Sequence, residues 1–431
     1  MAVACPAQPA GPATAPLTVT DSVREALKSS PQVRAARAVL ETSRIQADRE
    51  KPVARPTVTA IASATVQGPR VDFPRPDNQL ATVLPEGAAR LDLIFEQPLY
   101  RAGLKAAKER YTAQLSAGEL DFRRTLSEVA LAVNKAYIDV LRADAGVRSA
   151  TDGVDAAVRY QKLVEQQITS GVAKPVDSNT AEAQVAEAQA GLTRAQGAAA
   201  LARLNFNRTI GRSLTAPIAL AQIVALPIIP ASAEEAIARA VRSRPEILLL
   251  ERNLEAAHAG ISLARAQSQP SVNARGQLTE QTPTAFQHEH YYAATLEVRW
   301  PLIDGGKARQ DSREAKAQTS RLQALLDDAR QGIALEVTQA WQKMREAESR
   351  MHLAQAQRKG AEATEVVAEK AYEVGRGTVL EVQASQREVR SAQSAEISAL
   401  YDLQAAFADF EYGQGELLNG IQVSMGTESR P

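Results

Sequence analysis

A repeat at a spacing of roughly 200 residues is the feature of this sequence that most constrains its fold. The matching segments are 21–41 with 234–255, PLYRAG (98–103) with PLIDGG (301–306), and AVNKAYIDV (132–140) with EVTQAWQKM (336–344). Pro31 and Pro245 fall at the same place in the first pair. Self-similarity over such a distance indicates two copies of one supersecondary unit. We therefore expect an internal two-fold repeat, with units at 17–211 and 232–415.

Each unit contains a long helical tract that is broken by glycine and then resumes. The first break contains Gly171, and the second contains Gly375 and Gly377. An acid stands six residues past the first glycine of each break, Asp177 in one and Glu381 in the other. Glycine ends helices because it adopts backbone conformations that other residues avoid. The pattern predicts two helix reversals, each followed by an acid in the first turn of the next helix.

The long tracts carry an apolar seam typical of coiled coils. Its members are spaced by threes, fours and sevens: Leu115, Phe122, Leu126, Val129, Val133, Val140, Val147, Val154 and Val158. A helix from Leu104 to Ser170 would be roughly 100 Å long at 1.5 Å per residue. Helices of this length need partners along their sides. A soluble coiled-coil scaffold without channel activity remains the alternative interpretation of this pattern alone.

Four segments between the helices alternate apolar and polar residues, as strands with two different faces do. They lie at about 57–67, 90–99, 271–279 and 291–300. Strands of about ten residues cross a bilayer when tilted. Tyr292 and Trp300 stand at opposite ends of one apolar face, where an aromatic girdle would place them. The four segments together predict transmembrane strands.

Four strands cannot close a barrel by themselves, and lipid does not tolerate unpaired strand edges. Membrane barrels have at least about eight strands, so closure requires other chains. Two copies would give a lumen filled by side chains, and three would give room for a channel. Because the inner faces are polar, the sequence favours three chains, twelve strands and a pore.

Charge and motifs exclude several other classes of function. The 431 residues include 50 basic and 50 acidic side chains, so the formal net charge is zero and nucleic acid is not an expected partner. No run of about 18 apolar residues indicates a membrane-spanning helix. No catalytic constellation or phosphate-binding loop occurs, so we expect no enzyme activity and no cofactor. The only clustered histidines, in His288-Glu289-His290, are better explained by an exposed loop than by a metal site.

The remaining segments are short. Residues 1–16 form a Pro- and Ala-rich leader, 212–231 a Pro-containing, apolar linker between the two units, and 416–431 a tail. Cys5 follows Ala-Val-Ala, which is similar to the end of a bacterial lipoprotein signal, in which the cysteine is acylated. No charged or apolar signal region precedes it. Lipidation of Cys5 and a chance cysteine in the leader both remain open.

From about residue 17 to 415 the sequence resembles the TolC family of outer-membrane efflux proteins. The resemblance rests on the repeat, the Pro-ended first helices and the two glycine breaks. It implies a homotrimer with a twelve-stranded β-barrel in the bacterial outer membrane and a periplasmic α-barrel of long antiparallel helices. It also implies an exit duct for tripartite efflux or type I secretion. Its partners would be outer-membrane lipid, a periplasmic adaptor and an inner-membrane transporter.

The resemblance assigns roles to residues at the two breaks. The reversals would form the periplasmic tip that closes the tunnel. Tyr372 matches a gate tyrosine, Asp177 the carboxylate to which it bonds, and Glu381 a pore-facing acid of the constriction. A ring of three such acids would concentrate cations, and their mutual repulsion would raise their pKa values.

The sequence departs from the family pattern at two places near the gate. Ala384 stands where a second acid is common, and Gly377 stands where a gate arginine is familiar. Arg376 is adjacent and is the residue available to replace that arginine. The exported substrate cannot be inferred from these residues.

Overall fold

A computed structural model describes residues 16–50, 55–170, 174–223, 228–374 and 376–418. The elements, in chain order, are α1 (Val19–Ser29), α2 (Pro31–Glu50), β1 (Thr57–Val66), β2 (Val71–Pro74), β3 (Leu80–Leu84), β4 (Gly87–Arg101), α3 (Leu104–Thr169), α4 (Val176–Ile210), α5 (Glu234–Ser243), α6 (Pro245–Ala266), β5 (Ser271–Gln281), β6 (His290–Arg299), α7 (Lys307–Glu373) and α8 (Val379–Gln414). The chain is thus mostly helical, with few strands. None of the helices in these described ranges combines the length and the apolarity needed to span a membrane.

The chain divides into two compact units. The helical unit comprises the described residues within Met1–Glu41, Glu119–Leu248 and Asp327–Pro431. The sheet unit comprises those within Thr42–Gly118 and Leu249–Leu326.

A large hydrophobic cluster of the helical unit is built from α1, α2, α3, α4 and α8. Tyr137 and Phe206 are among its largest fully buried side chains, and their rings meet edge to face at a centroid distance of 6.1 Å. The Tyr137 hydroxyl lies within hydrogen-bond distance of two carbonyl oxygens, 2.9 Å from Leu17 and 2.6 Å from Ala221. The hydroxyl of this buried tyrosine therefore has hydrogen-bond partners, and it ties the backbone at Leu17 and at Ala221 to α3.

The segment between α4 and α5, which the sequence assigns to a linker, packs against this unit. Leu17 and Leu220 form a parallel bridge. The Asn207 side chain donates to the carbonyl oxygens of Leu214 and Ala216, each at 2.9 Å. These contacts hold the described part of the segment along the helices.

The ends of the short helices follow local chemistry. The backbone turns away after α1 at Ser30, the residue before Pro31, because proline disfavours helical geometry in the residue that precedes it. Gly211 ends α4 with φ 84°, in the left-handed region. A Cβ at Gly211 would lie 2.7 Å from the carbonyl oxygen of Ser29, so both backbone conformation and space require glycine there.

The sheet unit contains an antiparallel sheet with strand order β1-β4-β5-β6. Its register pairs Val58 with Phe95, Leu93 with Leu278, and Leu278 with Tyr292. The strands coincide with the four alternating segments of the sequence, although β4 begins three residues earlier than the segment at 90–99. Cross-strand partners share a face, so this register collects the apolar residues on one side of the sheet.

A second, two-stranded sheet formed by β2 and β3 was not predicted from the sequence. Pro74 and the following Pro76 argue against a strand, yet β2 is short and lies in a hairpin, where proline is tolerated. Asn78 in its turn has φ 63°, which asparagine tolerates better than most residues. The Ala285 amide, in the loop between β5 and β6, donates to the Thr82 carbonyl at 2.7 Å and joins that loop to the hairpin.

Candidate functional site

The second helix reversal, between α7 and α8, is a tight turn closed by backbone hydrogen bonds. The amides of Arg376 and Gly377 both donate to the Ala371 carbonyl oxygen at 2.9 Å. A Cβ at Gly377 would lie 3.0 Å from the Tyr372 nitrogen and 3.1 Å from the Ala371 carbonyl carbon. The turn therefore leaves almost no room for a side chain at Gly377. The sequence prediction that Gly377 serves the turn has a specific steric basis.

Glu381 engages the start of α8 through a capping box. The Thr378 amide donates to Glu381 Oε2 at 2.7 Å, and the Glu381 amide donates to Thr378 Oγ1 at 3.3 Å. These hydrogen bonds from Thr378 lower the pKa of Glu381 below the ordinary glutamate value of 4.5. Within one chain the pKa shift is therefore opposite in direction to the one expected from a ring of acids.

Asp177 plays a similar part at the start of α4. Its Oδ2 accepts a hydrogen bond from the Lys174 amide at 2.9 Å. Both acids that follow the breaks thus satisfy a backbone donor at a helix start, where negative charge is also favoured by the helix dipole. Gly171, Gly375 and Cys5 lie outside the described residues, so the roles assigned to them stay predictions.

The two reversals are brought together by a buried group of side chains, which we call the tip cluster. Its members are Tyr160 and Val164 from α3, Ala181 from α4, Tyr372 from α7 and Val382 from α8. All five are buried, so this end of the helical unit is held mainly by apolar packing.

The hydrogen bond expected between Tyr372 and Asp177 is not formed. The Tyr372 hydroxyl is buried and has no hydrogen-bond partner among the residues that the structure describes. Burial raises its pKa, and the nearby Asp177 carboxylate raises it further. The Asp177 carboxylate is thus close enough to influence the Tyr372 hydroxyl, but no hydrogen bond joins the two within the described chain. The Asp177 carboxylate instead accepts from its own helix start.

Tyr160 is a member of the tip cluster that was not predicted from the sequence. It is only 3 % exposed, and burial, followed by the proximity of Tyr372, raises the pKa of its hydroxyl. Gln383 lies beside it, yet neither the Tyr160 hydroxyl nor Gln383 Nε2 has the geometry of a hydrogen bond to any described residue. The signal was available, because Ala157, Tyr160 and Val164 continue the three-four spacing of the α3 seam.

Arg376, the remaining residue assigned to the gate, has an exposed side chain. It has no ion-pair partner in the described part of the chain. Only its backbone amide contributes to the turn.

Long helices joined by reversals and a sheet whose strands have two different faces are the parts expected of an outer-membrane efflux protein. The family model described as outer membrane efflux protein matches residues 22–212 and 236–411. The chain therefore belongs to the outer membrane efflux protein family, and the resemblance and the outer-membrane location expected from the sequence are confirmed.

One individual relative and two solved structures that match the chain have low sequence identity to it. Protein CyaE of Bordetella pertussis is 26% identical over 263 residues, which cover 59% of this chain and 54% of CyaE, so the chain spans about half the length of that relative. The structure of CusC matches with a TM-score of 0.78 at 17% identity, over 92% of this chain and 91% of that one. The outer membrane protein VceC of Vibrio cholerae matches with a TM-score of 0.75 at 18% identity, over 92% and 96%. At these identities the two structures establish a shared fold.

Proposed function

We propose that the chain is one protomer of a passive exit duct in the bacterial outer membrane. It would carry substrates outward in a tripartite efflux or type I secretion system. The observation that carries this proposal is the four-stranded sheet, with its apolar face and its two unpaired edges.

The apolar face of the sheet supports contact with lipid. Its large side chains are exposed although they are hydrophobic: Val58, Leu91, Leu93, Phe95, Leu278, Tyr292, Leu296 and Val298. A patch of this kind on a soluble protein would be an aggregation hazard, whereas on a membrane strand it meets acyl chains. The soluble scaffold interpretation leaves this patch unexplained.

The opposite face of the sheet is polar and suits a water-filled lumen. Asp92 accepts hydrogen bonds from Arg90, from Gln277 at 2.9 Å and from Thr279 at 2.5 Å. On the same face Glu96 pairs in register with Arg275. These mutually satisfied charges tolerate water and are costly in hydrocarbon.

The unpaired edges support assembly. Strands β1 and β6 border the sheet, and neither has an outer partner among the described residues. Strand edges in lipid must be paired, so further copies of the chain are required. Three copies would give the homotrimer with a twelve-stranded barrel expected from the family.

The long helices would form the periplasmic tunnel. The order of two helices, two strands and two helices occurs on each side of the segment 212–231, apart from the extra β2–β3 hairpin. This order supports two structural repeats at 17–211 and 232–415. A duct built in this way has no chemistry of its own, so energy would come from an inner-membrane transporter through a periplasmic adaptor.

The tip cluster and its turns would close the tunnel. In this proposal Glu381 contributes to the pore constriction, while Asp177, Tyr372 and Arg376 belong to the gate at the reversals. Tyr372 would act through packing in the tip cluster, because its hydroxyl has no partner within the described chain. Tyr160 is assigned to the gate as well, because it packs in the same cluster and its hydroxyl also has no partner within the described chain.

Two measurements on the detergent-solubilised protein test the duct. Sedimentation analysis should give a protein mass about three times the 46.2 kDa of one chain. The same material should produce ion-conducting steps in planar bilayers. A matched pair of variants tests the edge: Thr59→Pro, on edge strand β1, should weaken the trimer, whereas Thr59→Ala, which keeps the backbone amide, should leave it intact. A stable monomer that retains its sheet would contradict the proposal, and a protein that is soluble without detergent would favour the scaffold.

A further inference from the structure

A cluster of basic side chains lies in the sheet unit where α6 ends and α7 begins. It comprises Arg265 in the last turn of α6, and Arg309, Arg313 and Lys316 near the start of α7. With Ser268 and Ser312 they line a cavity of about 570 Å³. No carboxylate is among the described residues that line this cavity. We call it the basic cavity.

The cations of the basic cavity have no counterions within the described chain. None of the four is in an ion pair there, whereas the neighbouring Arg252 and Arg299 each pair with a glutamate, at 2.8 and 2.7 Å. The four exposed cations around one cavity repel each other, so a bound anion would relieve that repulsion.

The helix start adds to this positive potential. The first turn of α7 contains no acid, and the positive end of the helix dipole lies there. The nearest acid, Asp304, accepts from the amides of Gly306 and Ala308 at 2.9 and 2.8 Å and so caps the helix. Asp311 and Glu314 line a different cavity, against α3 and α6. Asp304 therefore compensates part of the potential at the helix start, while Asp311 and Glu314 do not line the basic cavity.

The first half of the chain keeps only part of this cluster at the equivalent positions. When PLYRAG (98–103) is aligned with PLIDGG (301–306), Arg309 and Lys316 correspond to Ala106 and Ala113, whereas Arg313 corresponds to Arg110. Arg309 and Lys316 are therefore specific to the second half.

The basic cavity lies at the junction between strands and helices. Directly before α7, Leu302 is 77% exposed and Ile303 is 94% exposed, and the preceding Trp300 is also exposed. If the sheet spans the membrane, as proposed above, these side chains mark its periplasmic boundary. Arg309 and Lys316 then lie within about 3 to 14 Å of the helix start, at 1.5 Å per residue. The headgroup layer is roughly 5–8 Å deep on each side, and long basic side chains can reach up into it.

We infer that the basic cavity binds the phosphate headgroup of an anionic phospholipid in the periplasm-facing leaflet. Guanidinium groups bind phosphate oxygens in a bidentate way, and the two serine hydroxyls supply further donors. The basic cavity would fix the depth of the sheet in the membrane at one point per protomer. The inference rests on the proposed function for the depth of the sheet.

Native mass spectrometry of the full chain in detergent tests the basic cavity directly. The probes are phosphatidylglycerol and phosphatidylcholine with the same acyl chains. We expect the wild type to retain phosphatidylglycerol in preference. The combined change Arg309→Gln, Arg313→Gln and Lys316→Gln should weaken that retention by at least about tenfold. The control variant, Lys343→Gln, Arg350→Gln and Lys359→Gln, removes as many charges from the same helix and should bind lipid as the wild type does.

Other outcomes are distinguishable. Equal retention of the two lipids by the wild type, or equal losses in both variants, would overturn the inference. Binding of inorganic phosphate without preference for the anionic lipid would show a soluble anion site instead. Loss of the trimer in the triple variant of Arg309, Arg313 and Lys316, but not in the control variant, would show that these cations pair with a second copy of the chain. A wild type that prefers phosphatidylglycerol but forms no channel would contradict the duct and leave the basic cavity supported.

Discussion

Tyr160 and Tyr372, from helices α3 and α7, pack in one buried cluster, and neither hydroxyl has a hydrogen-bond partner in the described part of the chain. The ring of each tyrosine therefore stabilises the tip by apolar packing, and neither hydroxyl adds a hydrogen bond within the described chain. A gate that works by packing and one that works by a bond predict different effects for the same substitutions.

Tyr372→Phe should leave single-channel conductance at the wild-type level, because the hydroxyl makes no bond within the chain. Tyr372→Ala should raise conductance, because emptying an aromatic site in a core costs about 3–5 kcal/mol and loosens the tip. Recordings in planar bilayers compare the two, with Tyr160→Phe and Tyr160→Ala as the matched pair on the facing helix. An equal rise for Tyr372→Phe and Tyr372→Ala would restore the tyrosine bond as the latch.

Two substitutions of Glu381 can separate the effect of its charge from its part in capping α8. Glu381→Gln keeps a side-chain oxygen that can accept from the Thr378 amide, whereas Glu381→Ala removes both oxygen and charge. If the carboxylate faces the pore, both changes should reduce cation selectivity and block by divalent cations to a similar extent. Reversal potentials and titrated block measure this. Unchanged selectivity in both variants would mean that Glu381 serves only the helix.

The sequence predicted the parts of the fold that depend on periodicity. The apolar-polar alternation around Val58 predicts a strand, and the spacing by threes and fours around Val133 predicts a helix. The structure has a strand and a helix at these places. The Tyr372–Asp177 bond could not be predicted in this way. A spacing brings two residues to one end of a bundle, but a bond depends on rotamers and on competing donors, and the Lys174 amide competes for Asp177.

Two further differences have local causes. The strand at Val71–Pro74 was missed because its prolines are typical of loops and its pairing is confined to a hairpin. Tyr160 was missed because an aromatic residue on a seam is normally a core residue, and its sequence gives no sign that its hydroxyl lacks a partner. Burial of a polar atom is a tertiary property.

Acid should weaken the start of α8. The pKa of Glu381 is lowered in the folded chain, so the carboxylate stabilises the fold above its ordinary value of 4.5, and this contribution is lost as pH falls through the lowered pKa. Amide hydrogen exchange at the α8 amino terminus should therefore accelerate in acid beyond its intrinsic pH dependence. Glu381→Gln is the control, because its side chain does not titrate. The same excess in that variant would assign the effect to another group.

Substitution by alanine should lower the free energy of unfolding at Gly377 and raise it at Gly360. A Cβ at Gly377 would press on the Tyr372 nitrogen at 3.0 Å, and the backbone on that side cannot yield without opening the turn. Gly360 lies within α7, and a Cβ there would meet nothing within 4 Å. Gly360→Ala should therefore raise the free energy of unfolding by about 0.5–1 kcal/mol through helix propensity. Gly377→Ala should lower it by roughly 1 kcal/mol and raise the conductance of the channel as the tip cluster loosens. Denaturant unfolding and bilayer recordings measure the two effects, and stabilisation by Gly377→Ala would show that the turn can accept a side chain.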